Sequence, residues 1–470
     1  MNIKRFAGQL GAITITAFVL AGCDDLLTVE PTEEVGPEVA MGELSGVESL
    51  LAGVYNRLQA ASLYGSVMFL VPDIMADNTR PSDPPQHFTG QYLNAHGSHI
   101  GSWSNRYNVI NEANFVILAA EQLEDVPETT RNRISGEAHF LRGLTYFDLA
   151  RIFGYEPNHV VDGWELGAVI RTEPTRTADD ADFRARSTNV QTYQQAESDL
   201  LEAIDLLTTS GGDNVFFANQ AAAEALLARV YLYWERWSDA ADYATRALSN
   251  TSAQLAGPEA VPGMFDQAPN PESLWEINYD PATESLWVNT CMGCYTHPAG
   301  TWFSIWPSDE LLDLFEPGDV RVEHYPTTTG EHQTAGTRFN NKWTESQGDN
   351  TDNKPVIRYS EVLLIRAEAY AEMGQVGPAL QDLNLLREHR GLGPVEVSGE
   401  ALIQEILDER RRELGFEGHR WFDLKRRGMD IPKPAHSGLP PVPYGDYRLL
   451  GPLPDTQVEN NPELVQNPGY

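Results

Sequence analysis

The sequence is poor in basic residues, with 33 Lys and Arg against 68 Asp and Glu, and its formal net charge is −35 at pH 7. An electrostatic field of that sign repels phosphate backbones and anionic lipid head groups. The composition therefore argues against nucleic acid as a partner. The chain is nevertheless long, with 470 residues of which 41% are hydrophobic, so it can bury a large core and form more than one domain.

Sequence signatures of common catalytic sites are also absent. The chain has no G-x-S-x-G, H-E-x-x-H, phosphate-binding G-x-x-x-x-G-K or G-x-G-x-x-G motif. Its carboxylates are so numerous that no two stand out as the acid and base of a hydrolase. His419 near Glu417 could act in catalysis, but such neighbours are common on helices, so we interpret them as structural. We therefore expect no catalytic activity and no cofactor.

Cysteine is scarce, with three residues in the chain, and two of them lie close together as Cys291 and Cys294 in TCMGCYTHP. A haem-attachment motif would need histidine directly after the second cysteine, where Tyr295 stands. A zinc site would need two further ligands, and only His297 is near. A local disulfide suits an exported chain and needs no other residue, so we favour it over free thiols. The oxygen-rich stretch 348–353 lacks the full spacing of a calcium loop, and we expect no metal site.

Long hydrophobic runs are absent after residues 1–22, which have the build of a secretory signal peptide: a short basic start, then an apolar run too short to span a bilayer comfortably. The run ends in LAGC, residues 20–23, which resembles a bacterial lipoprotein cleavage box. The alternative is an ordinary signal peptide followed by a chance cysteine. Acyl chains on Cys23 would contribute about 0.8 kcal/mol per buried methylene and would anchor the protein firmly. Residues 23–45 would then be an acidic tether that prolines interrupt.

Two later segments, 221–248 and 360–387, repeat one spacing of small and apolar residues. The matching positions are Ala228, Tyr231, Ala240, Ala244 and Ala247 in the first, and Ala367, Tyr370, Ala379, Leu383 and Leu386 in the second. The spacing resembles the tetratricopeptide pattern, in which two antiparallel helices form a unit of about 34 residues. A small residue on the first helix allows the second to approach closely, and the tyrosine three positions later fills the space beside it.

Two further helix pairs follow from the same reasoning. One is split: residues 133–154 give the first helix, 192–207 the second, and the segment between them is an insertion rich in Pro, Asp and Arg. The other joins 399–414 to 416–427 at the end of the chain. The sequence therefore predicts a mainly α fold with about four tetratricopeptide-like pairs. We divide the mature chain into an N-terminal part, 46–252, and a C-terminal part, 253–470.

Two regions lack this periodicity, approximately 63–102 and 253–354. Both are rich in proline, glycine, asparagine and aromatic residues, which indicates loops and short strands carried by the helical frame. Long loops on a rigid scaffold are where binding residues are usually found. We therefore expect the binding face to lie in these two regions.

Six segments together resemble the SusD/RagB family of nutrient-uptake outer-membrane lipoproteins. They are residues 22–27, 137–154, 223–234, 355–374, 409–428 and 452–470, in the order of the family. The resemblance covers nearly all of the mature chain and implies a SusD-like fold, a helical frame with a looped ligand-binding face. It also implies a lipid-anchored protein in the outer membrane, facing the exterior, that captures an extracellular oligomer and delivers it to a SusC-like TonB-dependent transporter.

Glycan-binding members of the family stack aromatic rings on sugars, and the family has no fixed motif for those residues. A sugar ring has an apolar C–H face and a polar edge, so aromatic side chains with polar neighbours complement it. Position alone gives the candidate ligand-binding residues. They are Asp77, Asn78, Trp103, Tyr279, Trp287, Tyr295, Trp302 and Trp306. For each tryptophan, packing in the core is an equal alternative, and after Trp103 the residues 106–117 have the pattern of a buried helix.

Two other functional classes remain as alternatives. An exported glycan hydrolase would release product and depend on two carboxylates. A pure tetratricopeptide scaffold would bind peptide in its groove and would not need the loop aromatics. The resemblance favours the capture protein over both.

One basic stretch in this acidic chain, ERRRELGFEGHRWFDLKRRG at 409–428, contains seven Lys and Arg residues. Many of its acidic and basic residues are three or four positions apart, a separation that favours ion pairs on a helix. Four apolar residues of the stretch, among them Trp421 and Phe422, provide an apolar face. We interpret it as a packed, charge-paired helix corner of the scaffold.

Overall fold

The computed structural model describes residues 41–83, 85–176, 183–210, 212–284, 290–329, 335–348 and 351–470. Most of the regular structure in these ranges is helical, which confirms the predicted fold class. The α-helices are α1 (Leu44–Leu58), α2 (Val67–Met75), α3 (Thr89–Tyr92), α4 (Trp103–Gln122), α5 (Glu128–Phe153), α6 (Asn189–Ser210), α7 (Gln220–Tyr233), α8 (Trp237–Asn250), α9 (Met292–Thr296), α10 (Asp309–Leu312), α11 (Tyr359–Glu372), α12 (Val376–His389), α13 (Glu400–Leu414), α14 (Arg420–Arg426) and α15 (Asp455–Asn460).

Short strands and single helical turns connect these helices. The strands are β1 (Thr79–Pro81), β2 (Ser273–Ile277), β3 (Ile305–Pro307) and β4 (Lys354–Arg358). β1 pairs antiparallel with β3, and β2 pairs antiparallel with β4. In the described ranges there are also one π-helical turn and four 3₁₀ segments: Ala61–Gly65, Val261–Asp266, Val320–His324, Ala435–Ser437 and Tyr447–Leu449.

The helix pairs predicted from the repeats are present. α7 packs on α8, α11 packs on α12, and α8 also packs on α11, so the two units stack. The split pair is present as α5 and α6. A Cβ atom at Gly143 of α5 would lie 3.0 Å from Leu200 Cγ and 3.3 Å from the carbonyl oxygen of Ala196 on α6. The small residue therefore allows the close approach that the sequence predicts.

The fourth pair is less regular than the other three. α13 packs on α11 and α12, whereas α14 has seven residues and packs on α2. The corner between α13 and α14 lies directly against α2, because a Cβ atom at Gly418 (φ +81°) would overlap the carbonyl oxygen of Met68. The helix predicted over 416–427 therefore begins at Arg420, after this tight corner.

The first non-repetitive region contains more helix than the sequence predicts. The buried helix α2 lies inside 63–102, and Pro72 lies within it. Proline is usually avoided in a helix interior, which is why the composition suggested a loop. The stretch Leu44–Met75, which includes α2, is apolar and long enough to span a membrane, but 72% of its most apolar window is buried inside the protein, as in a core helix. The second region, 253–354, has the predicted loops and short strands.

The basic stretch 409–428 is part of the buried scaffold, as predicted. Two of its carboxylates, Glu413 and Glu417, pair with cations from elsewhere in the chain. We call these two residues and their partners Arg358, Arg390 and Lys342 the buried charge network. Glu417 pairs with Arg358 Nε at 2.7 Å and with Lys342 Nζ at 2.7 Å, and Glu413 pairs with Arg390 Nη2 at 2.9 Å. All five side chains are buried.

The partners of this stretch are a correction to the sequence analysis. Ion pairs within one helix exist, such as Arg412–Glu409 and Arg426–Asp423, three residues apart. The cations of the buried charge network, however, come from β4, from the end of α12 and from the loop before β4, far away in the sequence. Periodicity within the stretch could not identify them.

Candidate ligand-binding surface

Two tryptophans of the second loop region lie at the protein surface. Trp302 is 37% exposed. Trp306, in β3, is partly exposed and lies opposite Arg80 in the antiparallel register with β1. Because opposed residues share a face of the ribbon, the Arg80 guanidinium stacks on the Trp306 ring, 5.3 Å from its centroid.

The Trp302 ring stacks on a histidine that the sequence analysis did not select. The His87 ring lies 4.6 Å from the Trp302 ring, with an interplanar angle of 47°, and 5.4 Å from the Tyr295 ring. His87 Nδ1 is 3.0 Å from the Ser304 hydroxyl oxygen. Burial lowers the pKa of His87 below its ordinary value, which favours the neutral ring. We call His87, Tyr295, Trp302 and Trp306 the aromatic surface.

Tyr295 contributes mainly by supporting its neighbours. It is 8% exposed, and its ring contacts both His87 and Phe88, the latter at 5.0 Å. Burial raises the pKa of its hydroxyl. The ring therefore forms the floor beneath His87, with little area left for a ligand.

The backbone is strained at two positions beside the stacked rings. Phe88 has φ +52° and Phe303 has φ +30°, the left-handed region that bulky residues rarely adopt. Such a residue costs about 1–3 kcal/mol and persists where the surrounding structure fixes it, commonly at binding sites. Each strained residue directly follows a ring of the stack, His87 or Trp302. The two strained turns thus lie where the stack forms.

Two predicted ligand residues, Asp77 and Asn78, are buried and already satisfied. The Asp77 carboxylate pairs with Arg420 Nε at 2.8 Å and with Arg411 Nη2 at 3.0 Å. The Asn78 amide donates to Asp73 at 2.6 Å and accepts from Arg411 Nε at 2.8 Å. Their place in the first loop region suggested exposure, but both side chains form hydrogen bonds that join this region to the scaffold. These two predictions are wrong.

Trp103 and Tyr279 are also core residues, which corrects their assignment. Trp103 begins α4, is 4% exposed, and packs edge-on against Phe153 at 4.9 Å. The Tyr279 hydroxyl donates to the carbonyl oxygen of Gln59 at 3.0 Å, and its ring lies near Lys354 Nζ. The alternative of core packing was the correct one for Trp103.

Other predicted residues have mixed outcomes. Cys291 and Cys294 are joined by a disulfide, the arrangement that the sequence favours. Cys23 and Trp287 lie outside the residues that the structure describes.

Asp352, in the oxygen-rich stretch, accepts from the backbone N–H groups of Glu345 and Gln347, so its carboxylate stabilises a turn. Among the described residues, no group of three or more His, Cys, Asp or Glu side chains is arranged to hold a metal ion.

The aromatic surface continues through residues that the sequence analysis missed. Phe303 contacts both Trp306, at 5.9 Å, and Phe339, at 6.3 Å, and Phe339 contacts His297 at 5.2 Å. A signal for His87 existed in PSDPPQHF at 81–88, an aromatic pair after a proline-rich turn. No local signal marked Arg80, because its role depends on the strand pairing with β3.

Two cavities lie away from the aromatic surface. One of about 380 Å³ lies between the end of α6, the start of α7 and the end of α8, and the described residues that line it include no aromatic side chain. A cleft of about 320 Å³ lies beside α4, where Trp103 and Tyr107 stack on each other. An oligomer that binds through ring stacking needs exposed rings instead of a closed volume. We therefore place the candidate site on the aromatic surface.

Comparison with known families matches most of the chain. A family model described as "SusD family" matches residues 323–470. A second, described as "Starch-binding associating with outer membrane", matches residues 34–232. Phe303, Trp302 and Trp306 lie between the two matched segments.

Similarity to individual proteins extends over nearly the whole chain. The SusD-like protein P2 of Formosa agariphila is 26% identical over 97% of this chain and 98% of its own length. The crystal structure of a putative sugar-binding protein from Bacteroides vulgatus has a TM-score of 0.81 and 28% identity, covering 91% of this chain and 99% of that one. A laminarin-binding SusD-like protein has a TM-score of 0.72 and 23% identity, covering 91% and 100% of the two chains, which shows likeness of fold.

Proposed function

The chain is SusD-like, and from that premise we propose that it captures an extracellular glycan oligomer and delivers it to a SusC-like TonB-dependent transporter without cleaving it. The observation that carries the proposal is the exposed stack of Trp302 on His87, beside Trp306 and Arg80. Flat rings with a neighbouring cation and hydroxyl groups complement the apolar face and polar edge of a sugar.

Several shallow contacts suit an oligomer better than a monosaccharide. Trp302 and Trp306 are four residues apart on one segment, and the partly exposed Phe339 extends the aromatic surface through its contact with the buried Phe303. Each ring alone offers a modest contact, but contacts on consecutive sugar units add within one binding event. A chain of sugars therefore gains affinity with length until the rings are covered.

Anchoring at the outer membrane is part of the proposal. Lipid on Cys23 would hold the folded body at the membrane through a tether shorter than the predicted 23–45, because Met41 is buried in the core and α1 begins at Leu44. The matching family description names association with the outer membrane. The transporter partner follows from the resemblance to the family. In this arrangement the protein faces the exterior, where glycans are met.

Binding without turnover is the central test. Probes are α-1,4- and β-1,3-glucan oligomers of increasing length, titrated into the purified mature protein by calorimetry. Trp302→Ala should weaken binding of the preferred oligomer by about 1–3 kcal/mol, the range for loss of an aromatic anchor. Trp237→Ala, a partly buried tryptophan in α8 on the helical scaffold, is the matched control and should bind as the unaltered protein does.

The same titration distinguishes capture from catalysis. Longer oligomers should bind more tightly than the monomer, and chromatography of the incubated mixtures should show no product at any pH. Protein-dependent release of sugar would contradict the capture function. Equal effects of the Trp302 and Trp237 variants would contradict the placement of the site.

A second experiment addresses the anchor. Cys23→Ser should move the protein from the membrane fraction to the soluble fraction and abolish labelling by a radioactive fatty acid, with the fold unchanged. Protease added to intact cells should cut the unaltered protein, because it faces outward. Label retained on the serine variant, or protection from protease, would contradict this part of the proposal.

A further inference from the structure

The disulfide Cys291–Cys294 lies immediately beneath the aromatic surface. Both cysteine residues are buried, at 1% and 3% exposure, and they flank the start of α9, which carries Tyr295. The Cys294 N–H also donates to Cys291 Sγ at 3.0 Å. The disulfide therefore fixes the first turn of this five-residue helix from the side chain and from the backbone.

The backbone after this turn is hydrogen-bonded back to it. The Cys294 carbonyl oxygen accepts from the N–H groups of both Trp302, at 2.9 Å, and Phe303, at 3.1 Å. The Ser304 N–H donates to the Tyr295 carbonyl oxygen at 2.9 Å. The exposed Trp302 is thus attached through its backbone to a disulfide-bonded residue.

The two segments are also in direct contact. A Cβ atom at Gly300 would overlap the carbonyl oxygen of Gly293 and would lie 2.7 Å from Cys294 Cα. The segment that begins at Gly300 therefore packs directly against the backbone of Gly293 and Cys294, with no room for a side chain at residue 300. The strained Phe303, with φ +30°, follows within three residues. A strained residue keeps its conformation where its neighbours fix it, and here the Cys294 carbonyl supplies one of the fixing contacts.

From this geometry we propose that the Cys291–Cys294 disulfide is a positioning element of the ligand site, which holds the strained Trp302–Phe303 turn and Tyr295 in the geometry that binds. The inference depends on the proposed glycan-binding function. The disulfide fixes the turn at the start of α9. The Cys294 carbonyl oxygen accepts from the Trp302 backbone, and Tyr295 supports the His87 ring on which Trp302 stacks. Pre-organised rings bind with less loss of conformational freedom.

A role in global stability explains this disulfide less well. A disulfide constrains the unfolded chain more when it closes a longer loop. Cys291 and Cys294 are three residues apart, so they close one of the shortest loops possible. Exchange with external thiols is also disfavoured, because both sulfurs are buried. The remaining effect is local, on the turn and the rings attached to it.

The test replaces both cysteines with serine, Cys291→Ser with Cys294→Ser, and measures affinity for the glucan oligomer that the unaltered protein binds. We expect affinity to fall about tenfold, as pre-organisation is lost, while the midpoint of thermal unfolding changes little. In the Trp302→Ala background the same pair of serines should change affinity less than about twofold, because the ring that the disulfide positions is gone. An equal loss in both backgrounds, or no loss in either, would overturn the inference.

A second measurement tests whether the disulfide positions the Trp302–Phe303 turn even if no oligomer binds or the serine variant does not fold. Hydrogen exchange of the Trp302 and Phe303 amides is compared in the oxidised protein and after reduction under mild denaturing conditions and return to native buffer. Exchange should accelerate at these amides and stay unchanged in α11. Unchanged exchange at Trp302 would contradict the positioning role, whereas failure to bind any glycan while exchange accelerates would contradict only the proposed function.

Discussion

The buried charge network and the aromatic surface differ in charge and in exposure to solvent. Glu417 lies between Arg358 and Lys342 at 2.7 Å from each, and Glu413 bonds Arg358 and Arg390 at 2.9–3.0 Å. On the aromatic surface, by contrast, the Trp302 ring is uncharged and 37% exposed. The most charged stretch of the chain thus stabilises the fold, and uncharged rings in loops are left to meet a ligand.

The electrostatics of the buried charge network show which effect dominates there. Burial alone would raise the pKa of Glu417, but Arg358 and Lys342 hold it below its ordinary value. Burial alone would also raise the pKa of Glu413, but Arg390 and Arg358 hold it well below the ordinary value. Both carboxylates therefore stay ionised inside the protein because their partners outweigh the loss of hydration.

The largest expected effect comes from breaking that network. Glu417→Ala leaves Arg358 and Lys342 buried beside each other without a shared anion. Removing one partner of a buried ion pair costs about 3–5 kcal/mol. We expect a corresponding fall in the denaturant midpoint of unfolding. Glycan affinity of the folded fraction should be unchanged, since the buried charge network stabilises the scaffold and none of its five residues belongs to the aromatic surface.

A control separates loss of charge from loss of volume. Glu417→Gln keeps the shape and one acceptor oxygen, so it should destabilise less than the alanine variant. An unchanged midpoint for both variants would show that the buried charge network does not stabilise the fold.

The next effect concerns pH. Burial lowers the pKa of His419 to about 4, against an ordinary value of about 6.5. Between these values the unfolded chain binds a proton that the folded protein does not, so stability falls as pH decreases from about 6.5 to 4. The contribution is on the order of 3 kcal/mol for a fully buried group. His419→Gln should flatten the pH dependence of unfolding in this range.

The matched control for the pH experiment is His96→Gln, at an exposed histidine. Its pH profile should follow that of the unaltered protein. A His419 variant whose unfolding still loses the same stability between pH 6.5 and 4 would assign the pH dependence to other groups.

How much the sequence could predict differs between the two regions. Helix pairing could be predicted from the spacing of small residues, because a small residue such as Gly143 marks the point where a second helix packs closely. The scaffold role of 409–428 followed from net charge and apolar content. Its partners Arg358 and Arg390 could not be deduced, since an ion pair across the fold leaves no periodic pattern.

The binding surface was less predictable for a related reason. Trp302 and Trp103 both belong to the loop-rich regions selected from the sequence, yet one is exposed and the other begins a buried helix. For Trp103 the helical pattern of the following residues 106–117 was a local signal of burial, whereas Trp302 has no such signal. His87 joins the surface only because its loop returns to Ser304 and Tyr295, across more than two hundred residues. Loop contacts of that separation depend on the whole fold and on no local preference.

A smaller effect should arise within the aromatic surface. His87→Ala removes the ring on which Trp302 stacks, and an aromatic pair contributes about 0.5–1.5 kcal/mol beyond its buried area. We expect affinity for the glucan oligomer to fall by that amount, because Trp302 gains rotational freedom. Stability should change little, since His87 is partly exposed. His87→Phe is the control, as it keeps a stacking ring, and a loss equal to that of alanine would contradict the stacking role.

The smallest expected effect tests whether ion pairing without burial stabilises this protein. Asp242 and Arg246 lie one turn apart on α8 with a 2.8 Å separation, and their side chains are 54% and 51% exposed. In water such a pair gains little, because solvent screens it and two long side chains lose freedom. Asp242→Asn should therefore lower the free energy of unfolding by under about 1 kcal/mol, and added salt should remove the difference. A loss as large as that of Glu417→Ala would show that charge pairing alone, without burial, distinguishes the scaffold from the aromatic surface.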